Sequence, residues 1–192
     1  MEVVLIHGAK MYNTKIINLY GGPSVGKSTS AAYLYYLLKV KGANAELVRE
    51  YVKDWVYENR KIGPYNQIYF LGKQVHKESL LYGKVQYIIT DSPIMMSVYY
   101  AYLYCKKELA DGVRCAAESF YDQAKLDEYN HVHIILNRTH AYSADGRYQS
   151  EAEALQIDAG VRKLLNDLDI PYMECNSDEQ SLSELLKQIE GK

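Results

Sequence analysis

The residues best equipped for chemistry stand together in GGPSVGKST, positions 21–29. Gly21, Gly26, Lys27 and Ser28 satisfy G-x-x-x-x-G-K-[ST], and Gly22, Pro23, Ser24 and Val25 lie inside the motif, with Thr29 just after it. Glycines at these positions let backbone amides turn inward around a phosphate, and a helix that follows adds the positive end of its dipole. A lysine at 27 reaches the β- and γ-phosphates of a nucleotide, and the hydroxyl of Ser28 is a ligand for Mg²⁺. ATP and Mg²⁺ are therefore the expected cofactors. Motors, switches and small-molecule kinases all use such a loop, so other residues must decide among them.

Asp91 closes the apolar run YIIT, where an acid can hold Mg²⁺ or one of its waters. Glu50 ends a second apolar run, ELVRE, across the crevice from the loop; a carboxylate there can orient an attacking hydroxyl or take its proton. Arg49 beside it is a weaker candidate for a substrate phosphate, because strand alternation points it away from Glu50. The polar stretch NRTHAYSADGRYQ reads as a lid over about 138–150, with Arg138 and Arg147 as the cations that would meet a phosphoryl group in transfer. Trp55, Tyr65, Gln67, Tyr69 and Gln74 are candidate linings of an acceptor pocket, since aromatics stack on a ring and amides read its edge.

These positions need elements to hold them. KIINLY (15–20), AELVRE (45–50), VQYIITD (85–91), HVHIIL (131–136) and IPYMEC (170–175) read as buried strands. Helices are expected over 27–42, on both sides of the Gly63-Pro64 break, after Pro93, over about 111–128, over 150–168 and at the C-terminal end. Ser150 and Glu153 have capping-box spacing. Strands that alternate with helices imply parallel pairing, an α/β three-layer sandwich with a five-stranded, mainly parallel sheet and helices on both faces. Residues 1–10 are read as an extension or edge strand without chemistry, and 11–192 as one domain.

A net charge of −2 argues against a surface built mainly to grip nucleic acid. The 20 tyrosines against two phenylalanines point to a core that uses Tyr rings for packing and leaves their hydroxyls at polar edges. Cys105, Cys115 and Cys175 lack metal-ligand spacing and read as reduced thiols, and His76, His131 and His133 read as structural. With no secretory signal and no apolar run of about 20 residues, the expected location is cytoplasmic, without a membrane partner. NRTH at 137–140 is not the NKxD of a guanine-reading switch, and 192 residues leave little room for the extra domains of motor ATPases. A small-molecule kinase remains.

The order GGPSVGKS, REYV, NQIYFLGKQ, IITDSP and LNRTHAYSADGR resembles the AAA_28, or NadR-like, group of P-loop proteins from about Lys15 to Cys175. That group includes a nicotinamide riboside kinase domain, and the chain is most similar to stand-alone ATP-binding proteins of tailed bacteriophages. The resemblance implies a P-loop NTPase fold and ATP-Mg²⁺-dependent transfer to a hydroxyl, in a host cytoplasm if the chain is phage-encoded. Glu50 and Trp55 also stand as in the E-x-x-x-x-W setting of deoxynucleoside kinases. The riboside kinase domain has Asp where this chain has Glu50 and Trp where it has Tyr142, so a nucleoside or nucleotide is as credible an acceptor as a nicotinamide riboside-like molecule. Two alternatives stand beside the small acceptor: a kinase acting on DNA, at a hydroxymethylated pyrimidine or an end, and an ATP-hydrolysing regulatory module. A homodimer is left open.

Overall fold

The structure is a computed structural model that describes residues 12–143 and 149–191. Five strands form one sheet: β1 (Lys15–Tyr20), β2 (Ala45–Val48), β3 (Tyr87–Thr90), β4 (Asn130–Asn137) and β5 (Met173–Asn176), in the order β2-β3-β1-β4-β5. Every pairing is parallel, so the expected mainly parallel sheet is parallel throughout. β1 is central and has β3 on one side and β4 on the other. The strand that leads into the glycine loop therefore lies beside the strand that leads to Asp91.

Alternation along β1 sorts the two faces. Ile17 and Leu19 pack with Leu34 and Leu38 of α1 (Lys27–Val40) and with Leu182, Leu185 and Leu186 of α7 (Glu179–Glu190). Tyr20 faces the opposite layer, made by α3 (Asn66–Ser79), α4 (Ile94–Tyr104), α5 (Lys107–Leu126) and α6 (Glu151–Asp167). A short α2 (Val52–Tyr57) follows β2. This is the expected α/β sandwich, and it carries the P-loop NTPase architecture.

Boundaries moved where chemistry begins. β2 stops at Val48 and β3 at Thr90, so Arg49, Glu50 and Asp91 occupy the loops just past the strand ends. The fifth strand starts three residues later than its apolar run and extends to Asn176, and α5 begins at Lys107 rather than 111. Ser150 caps α6 as its spacing predicts: its side chain accepts from the Glu153 amide, and Glu153 accepts from the Ser150 amide. Residues 1–10 lie outside the described residues.

Candidate active site

The glycine loop joins β1 to α1 with three positive-φ residues, Gly21 (φ +139°), Ser24 and Gly26. Gly26 has φ +98° and Ser24 φ +62°, both in the left-handed region that side chains resist. Strain held at such a loop is often a mark of function, and backbone of this kind can turn amides toward an anion. The first turn of α1 has no side-chain cap and no acidic residue, unlike α6 and α7, which Ser150 and Asp178 cap. The positive dipole end of α1 thus adjoins the loop, a place for an anion. Lys27 donates to the carbonyl oxygens of Gly21 at 2.7 Å and Gly22 at 3.0 Å, so its ammonium lies along the loop's inner edge.

A second set of contacts braces the loop from behind. Gly22 donates its amide to Asp158 Oδ1 at 2.5 Å. A Cβ at Gly22 would stand 2.5 Å from the Ala154 carbonyl oxygen, so only glycine lets the loop lie against α6. Arg138 grips the other Asp158 oxygen through Nε (3.0 Å) and Nη2 (2.9 Å) and also donates to the Pro23 carbonyl at 2.9 Å. Both partners are 13% exposed. Arg138 thus braces the loop in this conformation. Asp158 was not singled out from sequence; the only local hint is that it follows Ala154 by one turn on the same helix face.

The loop opens into a cavity of about 760 Å³. Lys27, Ser28 and Thr29 line one end, and Glu50, Gln67 and Gln74 are also part of its wall. Its size suits a small molecule, and its wall mixes apolar surface (Phe70, Met96) with fixed polar groups. Asp91, 3% exposed, lies behind the wall, where its Oδ1 accepts from the Glu50 backbone amide at 2.8 Å. The acid expected at the metal position therefore also fixes the backbone of the acid expected at the acceptor.

Arg49 and Trp55 are not among the lining residues. Arg49 is exposed, and Trp55 meets Phe70 edge-on at 4.9 Å between centroids, one layer behind the wall. Tyr65 and Tyr69 lie on the outer side of α3, 83% and 42% exposed. Lys53, Arg60 and Lys61 reach the cavity instead, and alternation patterns carry no signal for residues on a short helix and its loop. Of the lid segment, Ser143 donates its amide to Ser24 Oγ at 2.9 Å and Gln149 donates to the Tyr104 hydroxyl at 3.0 Å. The described parts of that segment thus bridge the glycine loop and α4. Arg147 lies outside the described residues.

The family model of an AAA domain, AAA_28, matches residues 16–181. The chain belongs to the AAA_28 family. Two solved structures share the fold of this AAA_28 chain. NadR protein in complex with NAD and AMP-PNP aligns with a TM-score of 0.67 at 13% identity, covering 93% of this chain and 49% of the other. NadR protein in complex with NR aligns with a TM-score of 0.67 at 17% identity, covering 93% and 51%. The AAA_28 chain spans about half the length of both. No curated protein matches it.

Residues of the AAA_28 chain fit the expected ligands. The uncapped α1 terminus and the inward loop suit a triphosphate; Ser28 at the cavity and Asp91 one strand over are hard oxygen donors of the kind Mg²⁺ takes. Among the described residues no group of three or more His, Cys, Asp or Glu forms a site for a resident metal, and no helix is long and apolar enough to cross a membrane.

Proposed function

We propose that the protein is an ATP-dependent phosphotransferase that moves the γ-phosphoryl to a hydroxyl of a small acceptor, a nucleoside, nucleotide or nicotinamide riboside-like molecule. The observation that carries this reading is that the glycine loop and Glu50 line one and the same cleft. A hydrolytic switch needs only the loop and a water; room beside the loop with a carboxylate in its wall is what transfer to another molecule requires. The NadR structures, which hold AMP-PNP in one case and NR in the other, support the same class.

Loop amides and Lys27 hold the donor phosphates and offset charge on the moving phosphoryl group. Ser28 and Asp91 would hold Mg²⁺, which when bound neutralises phosphate oxygens and aligns the donor. Glu50 accepts the proton of the acceptor hydroxyl as the new O–P bond forms and the bond to ADP breaks. Arg147, as read from the sequence, would be the cation that meets the transferring group.

The test is transfer from γ-labelled ATP to a panel of nucleosides, nucleotides and nicotinamide riboside. A labelled acceptor is the expected result; hydrolysis with every acceptor left unlabelled would sink the reading. One observation keeps DNA in view as an acceptor. Lys73 and Lys77 stand 5.3–5.7 Å from the Tyr51 ring, Lys73 is also 5.5 Å from Tyr69, and Lys53 and Lys61 line the adjoining cavity. Cations interleaved with exposed rings suit a single strand. A label on an oligonucleotide, with binding that weakens steeply in salt, would favour that acceptor.

A further inference from the structure

Gln74 lines the cavity with one half of its amide hydrogen-bonded and the other half without a partner among the described residues. It is 3% exposed. Its Nε2 donates to Glu78 Oε1 at 2.8 Å and to Thr90 Oγ1 at 3.0 Å, so both amide hydrogens are used. Its Oε1 is buried and has no hydrogen-bond partner among the described residues. A buried carbonyl left in that state is costly, and a donor that arrives with a ligand would satisfy it.

The amide cannot turn over cheaply. Above its pKa of about 7 the Glu78 carboxylate only accepts, so it holds Nε2 rather than Oε1 against itself. Thr90 Oγ1 already takes a second donor, the Ser92 amide at 3.1 Å. Thr90 and Asp91 are consecutive: the first anchors Gln74, and the second anchors the Glu50 backbone. The amide and the acid that is to receive the acceptor's proton are thus registered to the same strand end. Phe70 and Met96, also in the wall, offer flat and deformable apolar surfaces of the sort that hold a ring.

We infer that Gln74 determines acceptor specificity: its Oε1 accepts a hydrogen bond from an amino or carboxamide N–H on the edge of the acceptor's ring. The inference rests on the phosphotransferase reading for the word acceptor, and it deepens that reading by naming the class, a ring that carries an N–H donor. Acceptors whose corresponding edge offers only lone pairs or a carboxylate leave Oε1 unpaired or repelled, and the site discriminates against them.

The experiment uses matched acceptor pairs that differ at that edge: cytidine and its 4-deamino analogue, adenosine and purine riboside, nicotinamide riboside and nicotinic acid riboside. Binding to the full chain is measured calorimetrically with Mg²⁺ and a non-hydrolysable ATP analogue at pH 8, and kcat/KM is measured with ATP. In at least one pair the donor-bearing member should bind about tenfold or more tightly than its partner. Gln74→Met, which keeps the volume and removes the acceptor, should level that pair without changing the affinity for the ATP analogue. Equal binding within every pair, no binding by any donor-bearing member, or a preference that survives in Gln74→Met would each overturn the inference. Selective binding without transfer would uphold it while ending the kinase reading; transfer without selectivity would do the reverse.

Discussion

Lys27 lies along the carbonyls of Gly21 and Gly22, where an incoming phosphate would compete for its ammonium. Lys27→Ala should remove nucleotide binding, read by titration with a fluorescent ATP analogue. Glu50 is more discriminating. Glu50→Gln keeps the shape and removes the proton acceptor, so kcat should fall by about 10²-fold or more with nucleotide affinity unchanged. Undiminished turnover in that variant would remove Glu50 from the chemistry. Asp158 gives a third prediction, because it holds both the Gly22 amide and the Arg138 guanidinium. Asp158→Ala leaves those donors unsatisfied at a cost of about 1–3 kcal/mol. Its effect should appear as a lower Tm together with at least severalfold weaker ATP binding, although residue 158 need not touch the nucleotide.

Helix α6 acts as the back plate of the site. Its N-terminus is fixed by the Ser150–Glu153 box, its Ala154 carbonyl meets Gly22, and its Asp158 holds the loop one turn later. The register of this helix is therefore coupled to the shape of the phosphate loop. Ser150→Ala should cost about 1 kcal/mol, seen in chemical denaturation. Gly22→Ala should be worse, since its methyl meets backbone, not a movable side-chain end, and the loop or α6 must shift. Retention of full ATP affinity in Gly22→Ala would show that the loop does not depend on this contact.

Across the whole molecule, the buried polar groups of the α3–α6 layer set an opposed pair of pH dependences. Burial raises the Glu78 carboxyl from 4.5 to about 7, against the hydrogen bonds from Gln74 and Tyr82. Burial lowers His131 from 6.5 to about 4, and burial together with His131 lowers His133 to about 3. His133 is held neutral between the Tyr20 and Tyr121 hydroxyls at 2.9 and 3.1 Å. For Glu78 the folded value is the higher one, so its contribution is intact below about 4.5 and is lost as pH rises through about 7. For the histidines the folded values are the lower ones, so their contribution is intact above about 6.5 and is lost as pH falls toward 3. Glu78→Gln should therefore be more stable than the parent at pH 8, by up to the order of 3 kcal/mol, and equal to it below about pH 4.5. Thermal melts across pH 4–8 measure this. A Glu78→Gln advantage that does not shrink on acidification would place its origin outside this titration.

Local signals carried much of the reading. A strand, a glycine loop and a helix are contiguous in 15–40, so spacing alone identified the phosphate-binding element, and apolar runs of strand length marked all five strands. The capping box was legible because its partners are three residues apart. Tertiary structure decided everything that joins distant segments. Sequence spacing gave Arg138 no partners, and the fold joins it to Asp158 and Pro23, 20 and 115 residues away. It made Asp91 the anchor of Glu50 across 41 residues and Thr90 the anchor of Gln74. It also moved Trp55 from the wall to the layer behind it. Periodicity reports which face a residue occupies; only the packing of one element on another fixes what that face meets.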